Sequence, residues 1–209
     1  MPPGLHLLQS LAMLLAAMAI AVAGAQASQS DSTIPTAAIF EAIEAGEGMT
    51  VCEIGAGDGE LSVEAARLVG PQGRVYTSEL GEERLTALQG TVGSSGLAHI
   101  TVVEGGPDRT NLPDGACDAL FMRNVYHHFG DPRAMNRSIV AALAPGARVA
   151  IVDFRPRGTE ASRPGDRDEN GSHGVSAEAV SREMQEAGLR PIDSQAGEGR
   201  WYIVVFTTP

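Results

Sequence analysis

VCEIGAGDGE, residues 51–60, runs from a short apolar segment into an acid, Glu53, and then through Gly55, Gly57 and Gly59 into a helix-forming stretch. Glycines at a strand-to-helix turn take up positive φ and let backbone approach a ligand where side chains would block it. A ligand site is therefore expected over Gly55, Ala56, Gly57 and Gly59. The dinucleotide fingerprint needs glycine at its first, third and sixth places, but the sixth place here is Glu60. Its carboxylate would stand where a pyrophosphate sits, which disfavours nicotinamide and flavin dinucleotides.

Outward from this turn, apolar β-rich runs at 49–54, 74–79, 99–104, 117–122 and 147–153 alternate with helical patterns at 59–69, 82–93 and 131–143. Such alternation predicts βαβ units, hence a parallel sheet with helices on both faces. Asp131 followed by Pro132 reads as a helix N-cap with proline at the first helical position, and Pro145-Gly146 as the stop. Ser176 is a second cap, for a helix carrying Val180 and Met184 on one side. Residues 189–195 and 200–207 flank the turn-rich AGEG and predict a closing antiparallel hairpin. Ahead of the first strand, Pro35 opens a short helix with Ala38, Ile39, Ala42 and Ile43 at helical spacing. The charged, Gly- and Pro-rich stretch 155–175 has nothing apolar to pin it and reads as a mobile surface loop.

The pattern E-x-G-x-G-x-G after a strand resembles the first motif of the class I S-adenosylmethionine-dependent methyltransferases. GRVYTSEL, LPDGACDALFMRNVYHHF and DPRAMNRSIVAALAPGARVAIVDF continue that resemblance in order, over roughly residues 49–207. It implies a Rossmann-like, doubly wound α/β fold, a mostly parallel sheet closed by the C-terminal antiparallel hairpin, with S-adenosyl-L-methionine as cofactor. In the family the glycine turn passes under the methionine part of the ligand, the acid corresponding to Glu53 helps hold its ammonium, and that corresponding to Glu79 accepts both ribose hydroxyls. The resemblance breaks after the third strand. Many relatives have G-D there, the Asp reaching adenine, whereas this chain has Gly105-Gly106-Pro107 with Asp108 two places on. Asp108 takes that role only loosely. Asn124, just after the fourth strand, is the remaining cofactor-facing candidate. From the residues alone a plain tight turn and solvated strand-end acids stay open as alternatives.

Tyr126, His127 and His128 are the catalytic candidates, bordering the acceptor; packing at a helix start is the competing reading. Two histidines adjacent in sequence do not face one point from regular structure, so no metal is expected. Asp153, ending the fifth strand, is a candidate substrate contact. The expected activity is methyl transfer to a small-molecule acceptor by in-line displacement. The alternative is a non-catalytic exported binding module that keeps the fold.

Composition narrows the partners. The formal charge of -11 repels phosphate backbones, so nucleic acid is not expected. All 15 basic residues are arginine, which removes Schiff-base and P-loop lysine chemistry. Cys52 and Cys117, each inside an apolar run, read as separate small hydrophobes rather than a disulfide, and their spacing fits no zinc pattern. Residues 1–27 read as a signal peptide with an A-x-A site at Ala25 and Ala27, which predicts an exported, periplasmic or secreted domain. The run 5–25 equally suits a membrane anchor. The domain boundaries that follow are 28–48 for a joint and short helix and 49–209 for the cofactor-binding domain. The sequence assigns no oligomeric state.

Overall fold

The computed structural model describes residues 34–168 and 172–209. Residues 1–33, which include the segment read as a signal peptide or anchor and the polar joint after it, lie outside the described residues. Among the described residues no helix is long and apolar enough to cross a membrane.

The strands are β1 Thr50–Ile54, β2 Arg74–Glu79, β3 Ile100–Glu104, β4 Cys117–Arg123, β5 Leu143–Phe154, β6 Arg190–Ala196 and β7 Trp201–Thr207. They form one sheet in the order β3-β2-β1-β4-β5-β7-β6, with β7 alone running opposite to the other six. The helices are α1 Thr36–Ala42, α2 Glu60–Val69, α3 Glu82–Ser95, α4 Pro132–Ala142 and α5 Ala177–Glu186. This is the doubly wound, hairpin-closed architecture expected from the sequence.

The two-residue period of each strand divides its side chains between two cores. Cys52, Ile54, Leu120, Met122, Ile151, Val204 and Phe206 pack with Ile139 of α4 and Val180 and Met184 of α5. Val51, Phe121, Ala150, Val152, Ile203 and Val205 pack on the other face with Ile39 of α1 and Val63, Ala66 and Val69 of α2. The near-continuous apolar runs of β5 and β7 follow from burial on both faces. WYIVVF is therefore an interior strand, and β6, mostly exposed and carrying Pro191, is the edge.

Both predicted caps form. The Asp131 carboxylate accepts the Ala134 N–H at 2.9 Å, and the Ser176 hydroxyl accepts that of Ala179 at 3.1 Å. Three expectations are corrected. First, β5 begins at Leu143, directly after α4, and Pro145 and Gly146 lie within its irregular start, where Gly146 takes φ 78°. Second, Cys52 and Cys117 are joined in a disulfide between β1 and β4. Both cysteines are fully buried in the same core, so the apolar surroundings that suggested inert thiols are equally the surroundings of a buried bridge.

Third, the described part of 155–175 is anchored. Arg167 is only 3% exposed and pairs with Glu183 of α5 at 2.5 Å, while the Val175 N–H donates to the Phe154 carbonyl at 2.9 Å. A buried guanidinium needs a carboxylate partner, and here that requirement ties the loop to α5, while Val175 at its end is fully buried in the core with Val180 and Met184.

Candidate active site

The strand order reverses between β1 and β4, which start neighbouring connections on opposite faces. In open α/β sheets ligands bind beyond the carboxyl ends of the strands at such a switch point. The turn after β1 sits there. Gly55, Gly57 and Gly59 have φ of 68°, 58° and 85°, in the left-handed region. The Gly55 N–H donates to the Ser78 carbonyl at 2.8 Å and that of Ala56 to the same oxygen at 3.1 Å, binding the turn to the end of β2.

The three glycines serve different ends. A Cβ on Gly55 would stand 2.4 Å from Val125 Cγ2, and one on Gly59 would stand 2.5 Å from Leu88 Cδ1. Those two glycines allow close packing. A Cβ on Gly57 would meet nothing within 4 Å. Its backbone therefore faces open space, as a cradle under a ligand requires.

Glu79 lies beside that cradle. Its carboxylate is almost fully buried and accepts the Gly57 N–H at 2.7 Å through one oxygen and the Leu80 N–H at 2.7 Å through the other. Arg84 stands 3.9 Å away. Each oxygen retains a second lone pair for a hydroxyl donor, so the arrangement suits a vicinal diol. The Gly105 N–H donates to the Glu79 carbonyl at 2.9 Å, which carries the site toward β3.

Glu53 sits lower, 2% exposed on the α2 face. It accepts the Ser62 hydroxyl, which itself lies 2.6 Å from the Thr77 hydroxyl. Burial pushes the Glu53 carboxyl up to about 8, against the Ser62 hydrogen bond and the Arg123 charge, which lower it. Glu79 and Asp58 add to the rise. Glu53 thus lies at the floor of the turn with its carboxyl held well above the ordinary range.

Asn124 takes φ 61°, a left-handed conformation that asparagine tolerates, and its N–H donates to the Val152 carbonyl at 2.8 Å. The side chain is exposed beyond β4, next to the Val125 that packs on Gly55. Asp108 is half exposed and engaged by Arg109 Nε at 3.1 Å, at the far rim of the same sheet end.

The three catalytic candidates separate. Tyr126 is fully buried, donates its hydroxyl to Glu183 at 3.0 Å and accepts Asn136 Nδ2 at 2.8 Å. Burial and the Glu183 charge raise its hydroxyl well above the usual phenol range. It joins α4 to α5. Asp153 is also fully buried. Instead of facing substrate it grips His127, accepting the ring Nδ1 at 2.9 Å and the backbone N–H at 3.1 Å. His127 and His128 occupy a single 3-10 turn, Tyr126–His128, rather than a strand or regular helix. That geometry stacks their rings with centroids 3.9 Å apart and turns both toward Asp168: His128 Nδ1 is 2.6 Å from one carboxylate oxygen and His127 Nε2 is 3.9 Å from the other. The expectation that the pair would diverge fails for this reason.

Ser62, Thr77, Asp168 and His173 were not singled out by the sequence. The first two are ordinary small polar residues inside an amphipathic helix and a strand. The last two lie in the stretch read as a mobile surface loop; Gly174, at φ 122°, has no room for a Cβ, which would stand 2.5 Å from the Phe154 carbonyl oxygen.

Two concavities lie elsewhere among the described residues. One of about 410 Å³ is lined by Ala38 and Gln195 among others, and one of about 750 Å³ runs between α2 and α3. Neither is lined by Gly55, Gly57, Glu79 or the His127 turn.

A family model described as a methyltransferase domain matches residues 33–194. The ubiquinone/menaquinone biosynthesis C-methyltransferase UbiE of Pseudomonas putida is 31% identical over 112 residues, 51% of this chain and 42% of that enzyme. The chain thus spans well under half the length of the curated relatives it matches. A S-adenosylmethionine-dependent methyltransferase from Aquifex aeolicus superposes with a TM-score of 0.72 at 22% identity, over 85% of this chain and 91% of that one. The [4+2]-cyclase SpnF superposes equally well, at 16% identity over 83% of this chain and 80% of its own. The chain therefore belongs to the methyltransferase-domain family, within the class I S-adenosylmethionine-dependent methyltransferases.

Proposed function

We propose that the chain transfers a methyl group from S-adenosyl-L-methionine to a small-molecule acceptor at the carboxyl ends of β1, β2 and β4. A cyclase shares this fold, so fold alone does not carry the reaction. The carrying observation is the Glu79 carboxylate clamped on the Gly57 N–H at 2.7 Å beneath open space. When bound, the cofactor supplies a methyl group activated on a sulfonium sulfur, which an acceptor nucleophile displaces in line.

The protein's part is then to position. Glu79 orients the ribose, Gly55 to Gly59 form the floor, Glu53 answers the ammonium, and Asp108 and Asn124 border the remainder. Alignment of this kind is worth about 7–11 kcal/mol of barrier. The exposed Asn124 and His128, with His127 behind them, border the acceptor. An open rim and a charge of -11 favour a small molecule over nucleic acid. The family match favours an enzyme over a non-catalytic module.

The location we propose is outside the cytosol, exported or anchored through residues 5–25. The Cys52–Cys117 disulfide supports it, because such bonds persist in oxidising compartments.

The test of function is incubation of the full chain with methyl-labelled S-adenosylmethionine and panels of phenol, enol, amine and thiol acceptors. Release of S-adenosylhomocysteine with label on an acceptor supports the reading. Tight cofactor binding without transfer to any class would favour the binding module.

A further inference from the structure

Three potential ligand atoms converge beside the acceptor rim from two separate segments: His127 Nε2 on the turn after β4, and Asp168 Oδ1 and His173 Nε2 on the 155–175 connection. The two imidazole nitrogens face each other at 3.2 Å, and the carboxylate oxygen lies 3.6 Å from His173 and 3.9 Å from His127. Nitrogen and oxygen ligands at about 2.0–2.1 Å from a tetrahedral ion stand about 3.3 Å apart. The observed spacings bracket that value, so an ion fits with small side-chain shifts.

The supporting contacts are those of a metal centre. His127 Nδ1 is engaged by the fully buried Asp153 at 2.9 Å, which directs the Nε2 lone pair outward into the cluster. Asp153 is itself held by the N–H groups of His127 and Phe154 at 3.1 and 2.8 Å. The other Asp168 oxygen is held by His128 Nδ1 at 2.6 Å. The His173 backbone is held by Arg200, whose guanidinium reaches the His173 carbonyl at 3.4 Å and that of Arg155 at 2.7 Å. Two Nε2 atoms this close cannot both carry protons. A shared cation satisfies both lone pairs and the Asp168 carboxylate at once.

We propose that His127, Asp168 and His173 bind a divalent transition-metal ion of the zinc class. Two histidines and one carboxylate are a donor set such ions accept, and three protein ligands leave a position open to water or another oxygen donor. Asp168 and His173 are about half exposed, at 54% and 52%, so the open position faces solvent. The site does not rest on the methyl-transfer reading, since metal binding is read without cofactor or acceptor.

The test is titration of the metal-stripped full chain with Zn²⁺, and with Co²⁺ followed by its visible absorption, beside D168A, H173A, the double variant and D153N. One equivalent of Zn²⁺ at micromolar or tighter affinity is expected, with a tetrahedral Co²⁺ band. D168A and H173A should weaken binding at least tenfold, and D153N by about 10–100-fold through loss of the support to His127. Because Asp168 and His173 are half exposed, their variants remain folded, as circular dichroism will check. Absence of micromolar Zn²⁺ binding, or equal affinity in the double variant, would overturn the proposal.

Discussion

Glu79 and Gly57 are joined by a 2.7 Å hydrogen bond from the glycine N–H to the carboxylate, across 22 residues of sequence. The bond holds the cradle and the acid we propose for the ribose in one piece. Glu79→Ala leaves the Gly57 and Leu80 N–H groups without their acceptor and removes the partner proposed for two hydroxyls. A hydrogen bond to a charged group is worth about 1.5–3 kcal/mol. The Kd for S-adenosylmethionine should rise about 100-fold or more, measured by calorimetry, while Glu79→Gln, which keeps one acceptor oxygen, falls between.

Gly57 and Gly55 differ in what a methyl group would meet, and that difference is measurable. Gly57→Ala meets open space, so the fold bears only left-handed backbone strain of about 1–2 kcal/mol. It should fold and lose cofactor affinity. Gly55→Ala adds a 2.4 Å clash with Val125 to a φ of 68° and should lower the unfolding midpoint much further. Equal destabilisation by both would contradict the assignment of the cradle to Gly57.

Glu53 makes stability fall as pH rises. Its carboxyl is held up to about 8 in the folded chain against 4.5, so between those values the folded state retains a proton that the unfolded state has lost. The contribution is complete below 4.5 and is lost as pH passes about 8, with a slope of at most about 1.4 kcal/mol per pH unit. Denaturant unfolding at pH 5.5 and 7.5 should show this loss in wild type and a flatter dependence in Glu53→Gln. Cofactor binding near pH 7 should release a proton as the ammonium meets Glu53, seen as a buffer-dependent binding enthalpy.

The Cys52–Cys117 bridge closes a loop of 65 residues. Replacing both cysteines by alanine, or reducing them, should lower unfolding free energy by about 2–4 kcal/mol. A reduced chain of unchanged stability would show that the bridge contributes nothing to the fold.

The glycine turn, the Asp131 and Ser176 caps and the closing hairpin were legible in the sequence because each rests on local chemistry: positive φ, an orphan N–H, a turn between two β-rich runs. What escaped reading depends on partners distant in sequence. A thiol and half of a disulfide look alike inside an apolar strand, and only the adjacency of β1 and β4 tells them apart. The 155–175 stretch reads as unpinned because its anchors are the ion pair of Arg167 with Glu183, 16 residues on, and a single valine, Val175, whose burial depends on the core it meets. Likewise His173 and Asp168 acquire meaning only when the chain returns them to His127.

Whether the turn at residues 53–59 and Glu79 hold S-adenosylmethionine is decided by calorimetric titration of the full chain with S-adenosylmethionine, S-adenosylhomocysteine and NAD. Micromolar binding of the first two and none of the third is expected; binding of NAD, or of none of the three, would overturn the assignment.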